Sequence, residues 1–245
     1  MNAKAGRGYI YTTMRLRSAA QVLLLALPSV AATFIAPTAR AQGRPIDEGT
    51  FVITVAGKQA GLENFRIMRP DSSLITATGH MTEGTQQITT SLTTDAGGTP
   101  VRYDIAIRNA GVQSLKVSVN SVGGRLTATS SNQRGDESMH DYRLSPGHSV
   151  ILDDGIVHQL YFLPLGKHIG TVETIAPRDS KAGRLPFSSR GLEPVQVAGR
   201  SITATHYVLG DGAARRDFWV DANGRVLRME MPSRQLVAAR EEPPK

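Results

Sequence analysis

Val101-Arg102-Tyr103-Asp104-Ile105-Ala106-Ile107-Arg108 alternates apolar and polar side chains, and after Asn109-Ala110-Gly111 the alternation resumes as Leu115, Val117 and Val119 against Lys116, Ser118 and Asn120. Period two puts successive side chains on opposite faces of a strand, one face toward a core and one toward water. Two such runs separated by a glycine-containing turn cluster predict a hairpin. Working toward the N-terminus, Phe51, Ile53 and Val55 alternate with Val52 and Thr54. Further turn clusters stand at Gly57-Lys58-Gln59-Ala60-Gly61, Glu83-Gly84, Ala96-Gly97-Gly98, Gly123-Gly124, Ser145-Pro146-Gly147 and Ala198-Gly199. Their spacing predicts consecutive antiparallel hairpins, an up-and-down meander. Threonine-rich runs such as Ile88 to Thr94 and Ser201 to Thr205 suit a solvated pleated face.

Asp153-Asp154-Gly155-Ile156-Val157-His158-Gln159-Leu160-Tyr161-Phe162-Leu163-Pro164 breaks the alternation. Ile156, Leu160 and Leu163 recur at helical spacing, Asp153 or Asp154 can cap the start, and Pro164 with Gly166 stops the run. Val157 and Tyr161 add a second apolar stripe, so this short helix needs cover on most sides and is expected inside the concave face of a curled sheet. Beyond it, Thr171 to Ala176 and Val195 to Val197 are predicted as strands around a long loop, Pro177 to Gly191. Residues 232–245 lose periodicity and are expected to be a loosely held tail.

At the N-terminus, Arg15 and Arg17 precede an apolar run, Ala19 to Leu27, and Ala39-Arg40-Ala41 precedes Gln42. These are the basic, apolar and cleavage regions of a secretory signal peptide, expected over residues 1–41, with Met14 as a possible true start. Pro28 and Pro37 interrupt the apolar stretch, which argues against a retained span. A periplasmic or secreted protein follows, with residues 42–231 as one antiparallel β domain. Five of the 28 Lys and Arg residues and none of the 21 Asp and Glu residues precede residue 42, so the formal charge of +7 falls to +2 in the remainder. That balance gives no basis for a nucleic-acid surface. The chain has no cysteine, so thiol catalysis, thiolate metal sites and a lipid-modified cysteine are excluded, and the core must hold the fold without disulfides.

Motifs for chemistry are eliminated in turn. Gly147-His148-Ser149-Val150-Ile151 lacks the second glycine of a nucleophile elbow, and Gly210-Asp211-Gly212-Ala213-Ala214-Arg215 lacks the last glycine of a dinucleotide loop. No pair of the six histidines has the spacing of a zinc-peptidase helix. No catalytic residue, cofactor or metal ligand is therefore assigned. His206 shares a face with Ile202, Ala204 and Val208, where it serves either a core or a bound head group. Phe218 and Trp219 fall on opposite faces of one strand, so one ring needs cover outside the main core or in a groove.

Phe218-Trp219-Val220-Asp221-Ala222-Asn223-Gly224-Arg225-Val226, the opening Gly49-Thr50-Phe51 to Gly57 with Gly61 and Phe65, and Leu152-Asp153-Asp154 with His158 and Tyr161-Phe162 resemble a group of secreted bacterial all-β domains of unknown function. That resemblance implies no established activity and carries no catalytic residues with it. A looser likeness, of architecture alone, is to periplasmic lipoprotein carriers. The combined expectation is a mainly β fold, a strongly curled antiparallel meander sheet forming a half-barrel or open barrel, with one short inserted apolar helix. The functional expectation is a non-enzymatic periplasmic protein that binds an apolar or amphipathic ligand, lipid among the candidates, between sheet and helix, with His158, Tyr161, His206 and Trp219 as ligand-binding residues. The alternatives are a cell-envelope protein-interaction module and, last, a hydrolase with a dispersed site.

Overall fold

The computed structural model describes residues 43–166, 168 and 170–245. The leader expected over residues 1–41 and the start at Met14 lie outside the described residues. Fifteen strands form one sheet: β1 (Arg44–Val55), β2 (Lys58–Arg69), β3 (Leu74–Glu83), β4 (Gln86–Asp95), β5 (Pro100–Asn109), β6 (Val112–Val122), β7 (Arg125–Asn132), β8 (Glu137–Arg143), β9 (Ser149–Ile151), β10 (Gly170–Ala176), β11 (Lys181–Val197), β12 (Arg200–Leu209), β13 (Arg216–Val220), β14 (Val226–Met231) and β15 (Leu236–Arg240). Between β9 and β10 a 3-10 turn, His158–Tyr161, runs into a single α turn, α1 (Phe162–Leu165).

The order along the sheet is β8-β7-β6-β5-β4-β3-β2-β1-β15-β14-β13-β12-β11-β10-β9. Two meanders are thus joined where β1 pairs antiparallel with β15, Phe51 opposite Arg240 and Val55 opposite Leu236. A sheet this wide cannot remain flat and open. It rolls over, so that β9 at one end packs against β5 near the other, yet β8 and β9 do not pair and the barrel stays unclosed. Among the described strands only β9 and β10 run parallel.

Four of the tight turns have positive φ at both central residues, the twist that matches flanking strands. Ala198 and Gly199, at φ 47° and 76°, make one such turn between β11 and β12, and the alanine there occupies a left-handed conformation that glycine adopts more easily. The concave face carries the main core, with Phe51, Ile67, Tyr103, Ile105 and Phe218 at most 1% exposed. The helix fills that concavity: Ile156, Val157, Leu160, Phe162 and Leu163 are all buried. A second, smaller core lies apart, where Val195, Val197 and Ala204 of the β11–β12 hairpin cover Trp219 and Leu227.

Three expectations need correction. Pro177 to Gly191 is not a loop: after a 3-10 turn at Pro177–Asp179, Lys181–Phe187 pairs with β10 and Phe187–Val197 with β12. From Lys181 to Gly191 the stretch is exposed except at the buried Phe187 and half-buried Leu185, and it holds its shape by ladder hydrogen bonds more than by burial, so little apolar alternation marked it. Pro186 and Gly191 sit within the strand, Gly191 at a register shift with φ 99°. Second, the tail is not loose from residue 232, because Leu236–Arg240 is an interior strand of the sheet. Its inward positions are Ala238 and a buried arginine, Arg240, which hid the pattern. Third, Pro164 stands inside α1 and not after it, in a first turn where its missing N–H is tolerated, although the run does end where expected, at Gly166.

Truncation separates these roles. Ending the chain at Arg240 should leave the far-UV circular dichroism and a cooperative thermal transition intact. Ending it at Gln235 should abolish that transition, because β1 and β14 then face an empty position in the middle of the sheet.

Candidate functional site

The helix start is held from the sheet. On β2 the inward face carries Gly61, Glu63, Phe65 and Ile67, so the alternation itself delivers a carboxylate to the core. Glu63 Oε2 accepts from the amide of Val157 at 2.7 Å, and Oε1 accepts from the amide of His158 at 3.0 Å. Neither Asp153 nor Asp154 caps the helix, as the sequence had led us to expect; a buried acid from a distant strand does. His158 Nδ1 lies 2.5 Å from the same Glu63 Oε1, and since a carboxylate only accepts, the imidazole donates. Phe65 stacks on the imidazole at 6.3 Å. Gly79 makes room for it: a Cβ there would stand 2.8 Å from His158 Nδ1 and 2.9 Å from Thr90 Oγ1. His158 Nε2 and Thr90 Oγ1 have no hydrogen-bond partner among the described residues. Carboxylate and imidazole are paired as in a proton relay, but their side chains are 1% and 0% exposed, so no substrate reaches them.

The two aspartates expected as caps anchor the adjoining loop. Asp153 accepts from Tyr103 OH at 2.6 Å and from the amide of Arg178 at 3.2 Å, while its own amide donates to Gln159 Oε1 at 2.7 Å. Burial pushes the Asp153 carboxyl above its ordinary value, against the hydrogen bond from Tyr103. Asp154 faces the rim, paired with Arg216 at 3.0 Å and Arg234 at 2.5 Å, and its backbone carbonyl accepts from Arg178 at 2.8 Å. These arginines outweigh its partial burial and hold its carboxyl low.

Around this loop opens a mouth of about 500 Å³. Its apolar wall is Ile53, Met81, Ile88, Ile107 and Leu236, from the ends of β1, β3 and β5 and the starts of β4 and β15, and Arg178 and Arg234 stand on its rim with Glu83, Asp154 and Asp179. At the opposite strand ends a cleft of about 600 Å³ is lined by Asp47, Phe65, Arg225 and Arg240 together with Glu241 to Pro243 and Lys245. There Arg240 pairs with Asp47, both buried, and its guanidinium lies 5.5 Å and 5.0 Å from the ring centres of Phe51 and Phe65.

His206 and Trp219 meet elsewhere, over the smaller core, stacked at 4.7 Å and 20°. His206 Nε2 is 2.8 Å from Asp217 Oδ1, Trp219 Nε1 donates to Glu193, and Arg215 donates twice to Asp217 at 2.7 and 2.8 Å. The Arg215 hydrogen bonds, helped by His206 and opposed by burial, hold the Asp217 carboxyl below the ordinary 3.8. The four residues singled out from sequence therefore separate into two pairs: His158 and Tyr161 on the enclosed helix, His206 and Trp219 in the cluster over the smaller core. Sequence reasoning missed Glu63, Arg178 and Arg234. Glu63 alone left a signal, a lone acid on an otherwise apolar strand face. Among the described residues no three His, Asp or Glu side chains are grouped to hold a metal ion, and no helix is long and apolar enough to cross a membrane.

Comparison with known proteins is consistent with this architecture. The family described as "Domain of unknown function (DUF6134)" matches residues 75–240. A crystal structure of a beta-barrel-like protein of domain of unknown function DUF1849 from Brucella abortus superposes with a TM-score of 0.51 at 10% identity, covering 82% of this chain and 97% of that one. This likeness is one of fold. No curated protein matches the chain.

Glu63→Ala strands three buried donors at once and should destabilise by about 3–5 kcal/mol in urea unfolding, with Glu63→Gln recovering part of the loss. Asp217 gives a pH signature. A carboxyl held low in the folded state contributes stability that is present above its unfolded value and lost as pH falls through the folded one. The stability gap between wild type and Asp217→Asn should hence be constant at neutral pH and narrow in acid below the ordinary aspartate value.

Proposed function

The chain belongs to the family described as Domain of unknown function (DUF6134), and from that premise we propose that it is a non-enzymatic binding protein, exported by the Ala39-Arg40-Ala41 leader, that takes an amphipathic ligand of the lipid class at the mouth beside Asp154. One observation carries the reading: apolar strand ends and two rim guanidiniums border the same opening, whose volume of about 500 Å³ falls in the range of small-molecule sites. An acyl chain lies along Ile53, Met81, Ile88 and Leu236, and a polar head group meets a rim of mixed charge, where Arg178 and the 54% exposed Arg234 stand among the carboxylates of Glu83, Asp154 and Asp179. The occupied concavity moves the ligand from the helix surface to the mouth. His158 and Tyr161 then support the helix beneath it and do not touch the ligand.

A second reading, an envelope protein-interaction module, draws on that filled interior, since Ile156 to Leu163 are each at most 7% exposed. In it the exposed Leu192 on β11, next to Gly191 that pairs with His206 over the smaller core, presents a surface to another protein.

The two readings part in a titration of the purified protein with a fluorescent long-chain fatty acid, alongside native mass spectrometry. Arg234→Ala should weaken uptake of the probe about tenfold, some 1.4 kcal/mol, with an unchanged unfolding midpoint. A wild type that binds no probe and carries no lipid would sink the carrier and leave the module.

A further inference from the structure

Beyond ligand binding, we propose that two copies of this chain join edge to edge through β8, antiparallel and centred on His140. Of the two ends of the sheet, β9 is three residues long, wholly buried and packed against β5. Among the described residues β8, seven residues long, pairs with β7 on one side and with no strand on the other, where its C-terminal half borders a groove of about 390 Å³ shared with β10 and β11. From Glu137 to Asp141 every residue is exposed, Met139 at 71%. Such an edge offers a row of unused N–H and C=O groups, and chains that stay apart blunt it with charge or cover.

Here the charges fit a second copy. Glu137-Ser138-Met139-His140-Asp141-Tyr142-Arg143 begins with an acid and ends with a base. A two-fold antiparallel pairing about His140 sets Glu137 opposite Arg143 of the partner subunit, and by symmetry does so twice. Asp141 falls opposite Met139 of the partner subunit, with its charge already engaged at home by Thr127 Oγ1 at 2.7 Å and Arg125 at 3.8 Å. Glu137 and Arg143 have no ion-pair partner among the described residues of their own chain. The neighbouring registers are rejected electrostatically. A slip of two residues one way puts Glu137 against Asp141 of the partner subunit, and the other way puts Asp141 against Asp141 of the partner subunit. A slip of one sets Tyr142, on the concave face, opposite Met139 or Glu137 of the partner subunit, which lie on the convex face. The pairing buries Met139 beside Met139 of the partner subunit on the diagonal and closes the open end of both sheets.

Sedimentation velocity of the whole exported protein over a broad concentration range tests this. Wild type should show a reversible dimer. Glu137→Arg and Arg143→Glu should each raise the dimer dissociation constant at least about tenfold, since each turns two attractions into two repulsions. Both positions are solvent-exposed, so circular dichroism should be unchanged. The double swap should restore the dimer, and an equimolar mixture of the two single variants should form a heterodimer. A wild type that is monomeric throughout, or single variants that dimerise like wild type, would overturn the proposal.

Discussion

Everything else in the sheet is local, but the ladder between β1 and β15 joins residues nearly the whole described chain apart, and the two meanders make one sheet only through it. Hairpins close short loops at small entropic cost, whereas this pairing closes the longest. Its reinforcement is correspondingly dense. Arg240 crosses from β15 to pair with Asp47, donates to the carbonyl of Val226 at 2.5 Å, and lies against Phe51 and Phe65. Burial raises the Asp47 carboxyl and lowers the Arg240 guanidinium from their ordinary values, the electrostatic mark of taking both ions out of water. The pair is therefore better understood as fixing which strand follows which than as a large source of stability.

The second constraint is the helix. Eight residues of 3-10 and α turn are far too short to stand alone, and apolar on every side they need a container. The sheet supplies the container and also the acceptor, Glu63, for the amides at the helix start. The Glu63 contact to the imidazole, the absent Cβ at Gly79 and the stacked Phe65 are all adapted to a single placement of His158. Such precision holds the loop from Asp153 to Gly155 at the mouth, where Arg178, Arg216 and Arg234 converge on Asp154.

What could be read from the sequence follows from what burial leaves there. Strands with one apolar face, such as β5 and β6, were legible because alternation is a record of burial. The helix was legible because it broke that record, and so was the division of Phe218 and Trp219, which lie in the main and the smaller core. β11 was not legible: it is exposed along most of its length, and hydrogen bonds leave no trace in side-chain pattern. β15 was missed because its inward positions are an alanine and an arginine that becomes apolar in effect only beside Asp47, more than 190 residues away. The caps failed for the same reason, since the true acceptor stands some 95 positions earlier. Strand order lay beyond reach, because nothing local says that β1 pairs with β15.

That last pairing has a consequence for how the molecule is made. Residues 236–240 follow every other strand in the chain, yet they occupy an interior place in the sheet. A polypeptide delivered N-terminus first can fold its early hairpins, but β1 keeps an open edge until the last strand arrives, so the sheet stays in two parts throughout delivery. A chain still emerging in synthesis is thereby kept from locking into its final form too soon, and whatever shields the edge of β1 in that interval guards the yield of the folded protein.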